Sequence, residues 1–151
     1  MKLGVFGSRT LKDSRVKEII IDEIKKTGAD TIVTTQEPLG VCTIAQQIAK
    51  ERAMVLELHF LNFEKYSRGA FEHRSDDVIK ASDKILLIHD GVSKGTSNEL
   101  KRTEKFKKPY RYEILEQTDL EIQKRVDFKL DTFETNDDEL FDVDTDVDFD
   151  F

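Results

Sequence analysis

Apolar and polar positions follow two different periods along the first 115 residues of the chain. Short apolar or β-branched runs predict strands at 3–6, 31–35, 55–60, 84–89 and 110–115. Between these runs, apolar residues recur every three or four positions, which predicts a first helix that stops at Gly28 and further helices over 41–53, 70–82 and 96–106. Strands and helices are therefore expected to alternate.

This alternation predicts an α/β fold, because parallel strands need long right-handed crossovers and the crossover helices must cover the sheet. We expect residues 1–115 to form a three-layer, Rossmann-like sandwich around a mainly parallel sheet of five strands or slightly more. Residues 116–130 are interpreted as a C-terminal helix or an edge element, because a few apolar residues are spaced among charges there.

Charge is distributed unevenly along the chain. Residues 131–151 hold 10 of the 31 acidic residues and none of the 24 basic ones, which leaves the preceding residues with a charge of about +3. This tail alternates apolar and acidic residues, and its carboxylates would repel one another along a strand, so we expect a disordered acidic tail. It either keeps the protein soluble, or it docks on a basic partner or imitates nucleic acid.

Cysteine and histidine usage argues against disulfides and metal. The single cysteine, Cys42, has no partner for an internal disulfide, and the three histidines are not spaced as metal ligands. The chain enters its first strand directly after Lys2, with neither a signal peptide nor a membrane span in view. We expect a cytoplasmic protein without a metal or cofactor.

Three loops suited to phosphate binding each follow a predicted strand. Because the carboxyl ends of parallel strands share one edge of a sheet, we expect these loops to converge on one nucleotide-like ligand. Small residues let backbone N–H groups approach a phosphate, and the following helix N-terminus favours its charge. A tight strand-to-helix connection explains any one loop alone. The candidate ligand-binding residues in the loops are Gly7, Ser8, Arg9, Thr35, Gln36, Gly40, Ser93, Gly95 and Thr96.

Two arginines and a histidine near these loops each have two interpretations. Arg9 offers bidentate donors to a phosphate, or it only stabilises its loop. Arg74, early in the third predicted helix, contacts the same ligand or is a surface arginine paired with Asp77. His89, at the end of the fourth strand, lies at the rim of the site and is either a satisfied histidine, the interpretation we favour, or a catalytic one.

Glu99 is the candidate for chemistry, together with Arg74. In Gly95-Thr96-Ser97-Asn98-Glu99, Thr96 can cap the helix, and Glu99 then either completes a capping box or faces the ligand. A carboxylate beside an anomeric carbon acts as a nucleophile or stabilises an oxocarbenium ion, so Glu99 would serve cleavage of an N-glycosidic bond.

These motifs resemble the SLOG superfamily over about residues 2–115. This Rossmann-like group includes the cytokinin-activating phosphoribohydrolases called LOG, the DNA-processing protein A family and the small YspA-like proteins. The resemblance lies in Val5-Phe6-Gly7-Ser8-Arg9, in Arg74, in Ala81-Ser82-Asp83 before the fourth strand, in Gly95-Thr96 with Glu99, and in Lys108-Pro109. It implies a ligand-facing role for Arg74. Nucleoside deoxyribosyltransferases have a similar ending, in which the glutamate is the nucleophile.

Two departures from the family pattern bear on function. Where the family has a Gly-Gly turn and an Asp after the second strand, this chain has Glu37, whose carboxylate would repel a phosphate. Where the LOG hydrolases have Pro-Gly-Gly, it has Gly91-Val92-Ser93-Lys94. Hydrolase activity therefore does not follow from the resemblance alone.

Three functions remain open at this point. The first is a sensor or binding protein for a nucleotide-derived ligand. The second is a nucleotide N-glycosidase or (deoxy)ribosyltransferase that uses Glu99 and Arg74. The third is a DNA-handling or interaction protein, against which the modest charge of about +3 and the acidic tail argue. A homo-oligomer is compatible with each.

Overall fold

The computed structural model describes residues 1–116 and confirms the predicted α/β fold. The strands are β1 Lys2–Gly7, β2 Thr31–Thr35, β3 Val55–His59, β4 Lys84–His89 and β5 Tyr110–Ile114. The helices are α1 Ser14–Thr27, α2 Val41–Glu51, α3 Phe63–Tyr66, α4 Ala70–Ala81 and α5 Lys94–Lys105, with a 3-10 turn at Ser67–Gly69. The predictions for the acidic tail, and for all but the first residue of 116–130, lie outside the described residues.

The five strands form one parallel sheet in the order β3-β2-β1-β4-β5. In its centre, Gly4 of β1 lies opposite Val33 of β2 on one side and Ile85 of β4 on the other. The chain runs outward from β1 to β3 and then crosses back to begin β4 beside β1. The order in which the chain adds strands therefore reverses between β1 and β4. Open α/β sheets bind ligands at the carboxyl ends of the strands at such a point.

Alternate residues of a strand point to opposite faces of the sheet, so β1 contributes apolar side chains to both faces. Helices cover each face. Leu3 and Val5 of β1 belong to a buried cluster that also includes residues of α1 and α2. Phe6 belongs to a second cluster, with Val78 and Ile79 of α4. Removing a side chain of this size from water stabilises a fold by about 1.5–3 kcal/mol, so the two clusters fix the three layers.

The segment between β3 and α4 contains structure that the sequence pattern did not predict. Asn62 caps α3 because its side-chain oxygen accepts a hydrogen bond from the N–H of Lys65 at 3.1 Å. α3 has only 4 residues, too few to show a helical period. The segment places Phe63 5.8 Å from Phe71 of α4, ring centre to ring centre.

Candidate functional site

Ser8 joins the loop after β1 to the start of α5. Its buried hydroxyl oxygen lies 3.2 Å from the hydroxyl oxygen of Thr96 and accepts a hydrogen bond from the N–H of Asp90 at 3.0 Å. Its own N–H donates to the carbonyl oxygen of Ile88 at 3.1 Å. Two of the three predicted loops thus meet between the ends of β1 and β4.

The loop after β2 reaches the same place through two close approaches of the main chain. Gly40 has a φ of +82°, and a Cβ there would overlap the Cα of Arg9 and the carbonyl oxygen of Ser8. A Cβ on Gly7 would likewise overlap the side chain of Val41, the first residue of α2. Glycine at both positions therefore lets the loops after β1 and β2 touch.

Asp90 fixes the shape of the loop after β4, a role that the sequence analysis missed. One carboxylate oxygen accepts from the N–H groups of Val92 and Ser93, and the other accepts from the hydroxyls of Thr10 and Ser93, all at 2.6–2.9 Å. Burial favours a higher pKa for Asp90, but these hydrogen bonds hold the pKa below its ordinary value. An Asp-Gly pair at the end of an apolar strand was the available signal.

The predicted capping box at Thr96 and Glu99 is wrong, because α5 begins two residues earlier, at Lys94. Ser93 precedes the helix in extended backbone, and its hydroxyl donates to Asp90 instead of capping the helix. Thr96 therefore lies within the first turn, where its hydroxyl faces Ser8. Glu99 lies in the second turn and is not needed as a cap.

Glu37 lies between the two arginines predicted to bind phosphate. One oxygen of its carboxylate is 2.7 Å from Nη2 of Arg74, and the other is 3.7 Å from Nε of Arg9. The Arg9 side chain is 61% exposed, whereas that of Glu37 is only 18% exposed. The carboxylate that sequence analysis expected to repel phosphate thus offsets positive charge at the site.

Arg74 is buried, with only 7% of its side chain exposed, which excludes the interpretation as a surface arginine paired with Asp77. Its Nη2 donates to Glu37, and its guanidinium lies 5.5 Å from the ring centre of Phe71. Its buried Nε is left without a hydrogen-bond partner. This buried donor of Arg74 is therefore not used by any of the described residues, although buried N–H groups are normally paired.

Glu99 is partly buried and its electrostatic environment is formed by the same charged residues. Burial raises the pKa of its carboxyl to about 8; Arg74 and Arg9 oppose this shift, and Glu37 adds to it. The carboxyl is therefore mostly protonated at pH 7. At that pH it is suited to donate a proton more than to attack as a nucleophile.

Thr35 and Gln36 are arranged differently from the other loop residues. The Thr35 hydroxyl donates to the buried sulfur of Cys42 at 3.4 Å, and its carbonyl oxygen accepts from the side chain of Gln46. Burial, with the nearby Glu99, raises the pKa of the Cys42 thiol. Gln36 is exposed, and its N–H donates to the carbonyl oxygen of His59. Thr35 therefore serves the packing of α2.

His89 is satisfied, as predicted, but it is buried and does not lie at a rim. Its Nδ1 lies 2.7 Å from the hydroxyl oxygen of Tyr112, and its Nε2 lies 2.9 Å from the carbonyl oxygen of Ser93. Since a carbonyl only accepts, Nε2 donates and a neutral ring would accept from Tyr112 through Nδ1. His89 thus supports the loop after β4.

A surface depression on α1 lies away from the three loops. A shallow, open depression of about 390 Å³ contains none of the candidate ligand residues and is lined by Ser14, Lys17, Glu18, Ile21, Asp22 and Lys25 of α1. Across residues 1–116, no three His, Cys, Asp or Glu side chains are grouped as metal ligands would be. Within that same range no helix has the length and apolar character of a membrane span.

Gly95 occupies the first turn of α5 with space in front of it. A Cβ there would have no other atom within 4 Å, apart from its own helix and chain neighbours, and its backbone conformation suits any residue.

Comparison of the chain with protein-family models, curated proteins and solved structures finds no match.

Proposed function

We propose that the protein binds a nucleotide-derived ligand at the carboxyl edge of the sheet, between the loops after β1, β2 and β4. The observation that supports this most is the contact of Ser8 with Thr96, which brings a Gly-Ser-Arg loop against the first turn of α5. Backbone N–H groups at a helix start favour an anionic group. The resemblance to the SLOG superfamily, given on the same residues, points to the same class of ligand.

Charge and space around this contact fit a ligand of that kind. Arg9 and Arg74 supply donors, and the Nε of Arg74 has no partner in the described part of the chain. Gly95 leaves the entrance to α5 unobstructed. Ser93 and Thr96 contribute mainly by fixing the loops, because both hydroxyls have partners inside the protein.

Identification of a bound molecule tests this function directly. The purified protein is denatured, and the released small molecules are identified by mass spectrometry, with Gly95→Val purified in parallel as a control. We expect a nucleoside or nucleotide derivative to accompany the parent protein and to be depleted in the variant. Equal amounts of such compounds in the two samples would count against the proposed site.

The second candidate function is cleavage or transfer of an N-glycosidic bond. The observation that favours it is Glu99, whose pKa of about 8 leaves a protonated carboxyl at neutral pH, within the electrostatic influence of Arg74. In this function the bond between the anomeric carbon and the base breaks, and water, or an acceptor base in a transfer reaction, forms the new bond to that carbon. Glu99 donates its proton to the departing base, and Arg74 orients the phosphate of the ligand. Glu99 acts as the acid rather than as the nucleophile that the motif suggested.

Turnover separates an enzyme from a binding protein. The parent protein is incubated with nucleosides and nucleotides, and free base is measured by chromatography. An enzyme of this kind should lose turnover by about a hundredfold in Glu99→Gln, which cannot donate the proton, while its affinity changes little. A binding protein should release no base. Base release that is unchanged in Glu99→Gln would exclude this mechanism.

A further inference from the structure

Glu37 brings one negative charge to the two arginines of the proposed site. Its carboxylate contacts Arg74 at 2.7 Å and lies 3.7 Å from Arg9, so the two cations at the site share one resident anion. The pair of arginines and Glu37 together carry one net positive charge. Glu99, with burial raising its pKa to about 8, adds little negative charge at pH 7.

The backbone of Glu37 is held in place, so its carboxylate cannot be removed by a simple movement of the loop. Its N–H donates to the carbonyl oxygen of Thr35 at 3.0 Å, and its own carbonyl oxygen accepts from the hydroxyl of Thr43 at 2.7 Å. Gly40, three residues later, is in close contact with the loop after β1. A phosphate that approaches Arg74 therefore meets Glu37 as well.

We propose that Glu37 makes the site selective for ligands with at most one negative charge, namely nucleosides and phosphodiester nucleotides, over nucleoside phosphate monoesters. This proposal rests on the proposed function and specifies its ligand class. A phosphodiester carries one negative charge, which matches the net charge of the two arginines and Glu37. A phosphate monoester carries about −1.5 to −2 at pH 7 and would also be repelled by the Glu37 carboxylate.

Arg74 explains how an anion is still accepted. Its Nη2 remains with Glu37, while its Nε is buried and has no partner among residues 1–116. A phosphodiester oxygen can meet the exposed Arg9 without breaking the ion pair of Arg74 with Glu37, and it reaches the Nε of Arg74 only if the groups that cover this atom move. A dianion competes with Glu37 for the same guanidinium.

The test compares ligands that share a base and differ in charge. Isothermal titration calorimetry at pH 7 is performed with the four common ribonucleosides, their cyclic monophosphates and their 5′-monophosphates. For the preferred base, we expect the parent protein to bind the cyclic monophosphate at least about tenfold more tightly than the 5′-monophosphate, since like charges brought together weaken binding. This comparison needs no variant.

Three substitutions then assign the preference to the charge of residue 37. Glu37→Gln should strengthen binding of the 5′-monophosphate by about tenfold and change that of the cyclic form by less than about threefold. Glu37→Asp, which keeps the carboxylate, should keep the preference of the parent. Glu18→Gln, an equal change of charge on the exposed face of α1, should have no effect on either ligand.

The outcomes separate this inference from the proposed function. If the parent binds the 5′-monophosphate as tightly as the cyclic form, or if Glu37→Gln leaves the preference unchanged, charge selection by Glu37 is wrong and the binding function stands. If none of the compounds binds to the parent or to Glu37→Gln, the proposed function itself is overturned, and the charge preference falls with it.

Discussion

The hydroxyl oxygens of Ser8 and Thr96 lie 3.2 Å apart, although 88 positions separate the two residues in the chain. The same Ser8 oxygen accepts a hydrogen bond from the N–H of Asp90. One small side chain thus connects the end of β1, the end of β4 and the first turn of α5. The proposed ligand site depends on this connection.

Replacing Ser8 by alanine should destabilise the fold. The change leaves the buried N–H of Asp90 and the hydroxyl of Thr96 without this partner, at a cost of about 1–3 kcal/mol. The free energy of unfolding is measured by urea denaturation. Ser14→Ala, at an exposed position of α1, serves as the control. The control should change it by less than about 0.5 kcal/mol. Equal losses in the two variants would show that Ser8 is not a structural link.

Replacing Gly40 by alanine should be more damaging than replacing Gly28, although both glycines have a positive φ. A Cβ on Gly40 overlaps the main chain of Arg9 and Ser8, whereas a Cβ on Gly28 meets nothing within 4 Å. Gly28→Ala should cost about 1–2 kcal/mol from backbone conformation alone.

The additional loss in Gly40→Ala combines two effects: the contact between the loops after β1 and β2, and the backbone strain at φ +82° and ψ −147°, a conformation that is far less open to alanine than the left-handed helical one of Gly28. We expect it to exceed the loss in Gly28→Ala by more than about 1 kcal/mol, because the overlapped atoms belong to the main chain and cannot move aside. Thermal or urea unfolding of the two variants gives the comparison. If Gly40→Ala is no less stable than Gly28→Ala, the two loops do not approach as described.

Glu99 should make the fold less stable as the pH rises. Its pKa is raised from 4.5 to about 8 in the folded state, so between these values the folded protein binds more protons than the unfolded chain. The stabilising contribution is fully present below about pH 4.5 and is lost as the pH rises through 8. The groups that affect it from neighbouring elements are Arg9, Glu37, Cys42 and Arg74.

Urea unfolding between pH 5 and pH 8.5 checks this dependence against Glu99→Gln. The parent should lose at least about 1 kcal/mol relative to the variant across the range, since each unit of pKa shift corresponds to about 1.4 kcal/mol. Glu99→Gln has no carboxyl to titrate and should show a flatter profile. Parallel profiles for the two proteins would mean that Glu99 has an ordinary pKa.

The strands and most helices followed from the sequence because their periods reflect burial. β4, for example, is an unbroken apolar run that is buried on both faces. The α3 turn was missed since its cap, Asn62, acts through one local hydrogen bond and leaves no period. The predicted start of α5 was two residues late, because Asp90 determines the shape of the preceding loop. The Thr96 hydroxyl contacts Ser8, which is distant in sequence, and does not cap the helix.

The charges of the site were less predictable than its position. Arg9, Arg74 and Glu37 each stand out in the sequence, but the pairing of Arg74 with Glu37 joins residues 37 positions apart. Such a pair depends on the order of β1, β2 and α4 in space, which no local pattern specifies. The burial of Arg74 was likewise not predictable from the sequence, because an arginine on an amphipathic helix is normally exposed.

The central claim, a ligand site at the start of α5, is tested most directly at Gly95 by calorimetric titration. The space in front of Gly95 allows valine without damage to the fold, so Gly95→Val should unfold within about 5 °C of the parent, about 1 kcal/mol for a domain of this size. It should nevertheless weaken binding of the preferred nucleoside or nucleotide by about a hundredfold, with Gly95→Ala in between. Affinity equal to that of the parent in a folded Gly95→Val protein would contradict the account.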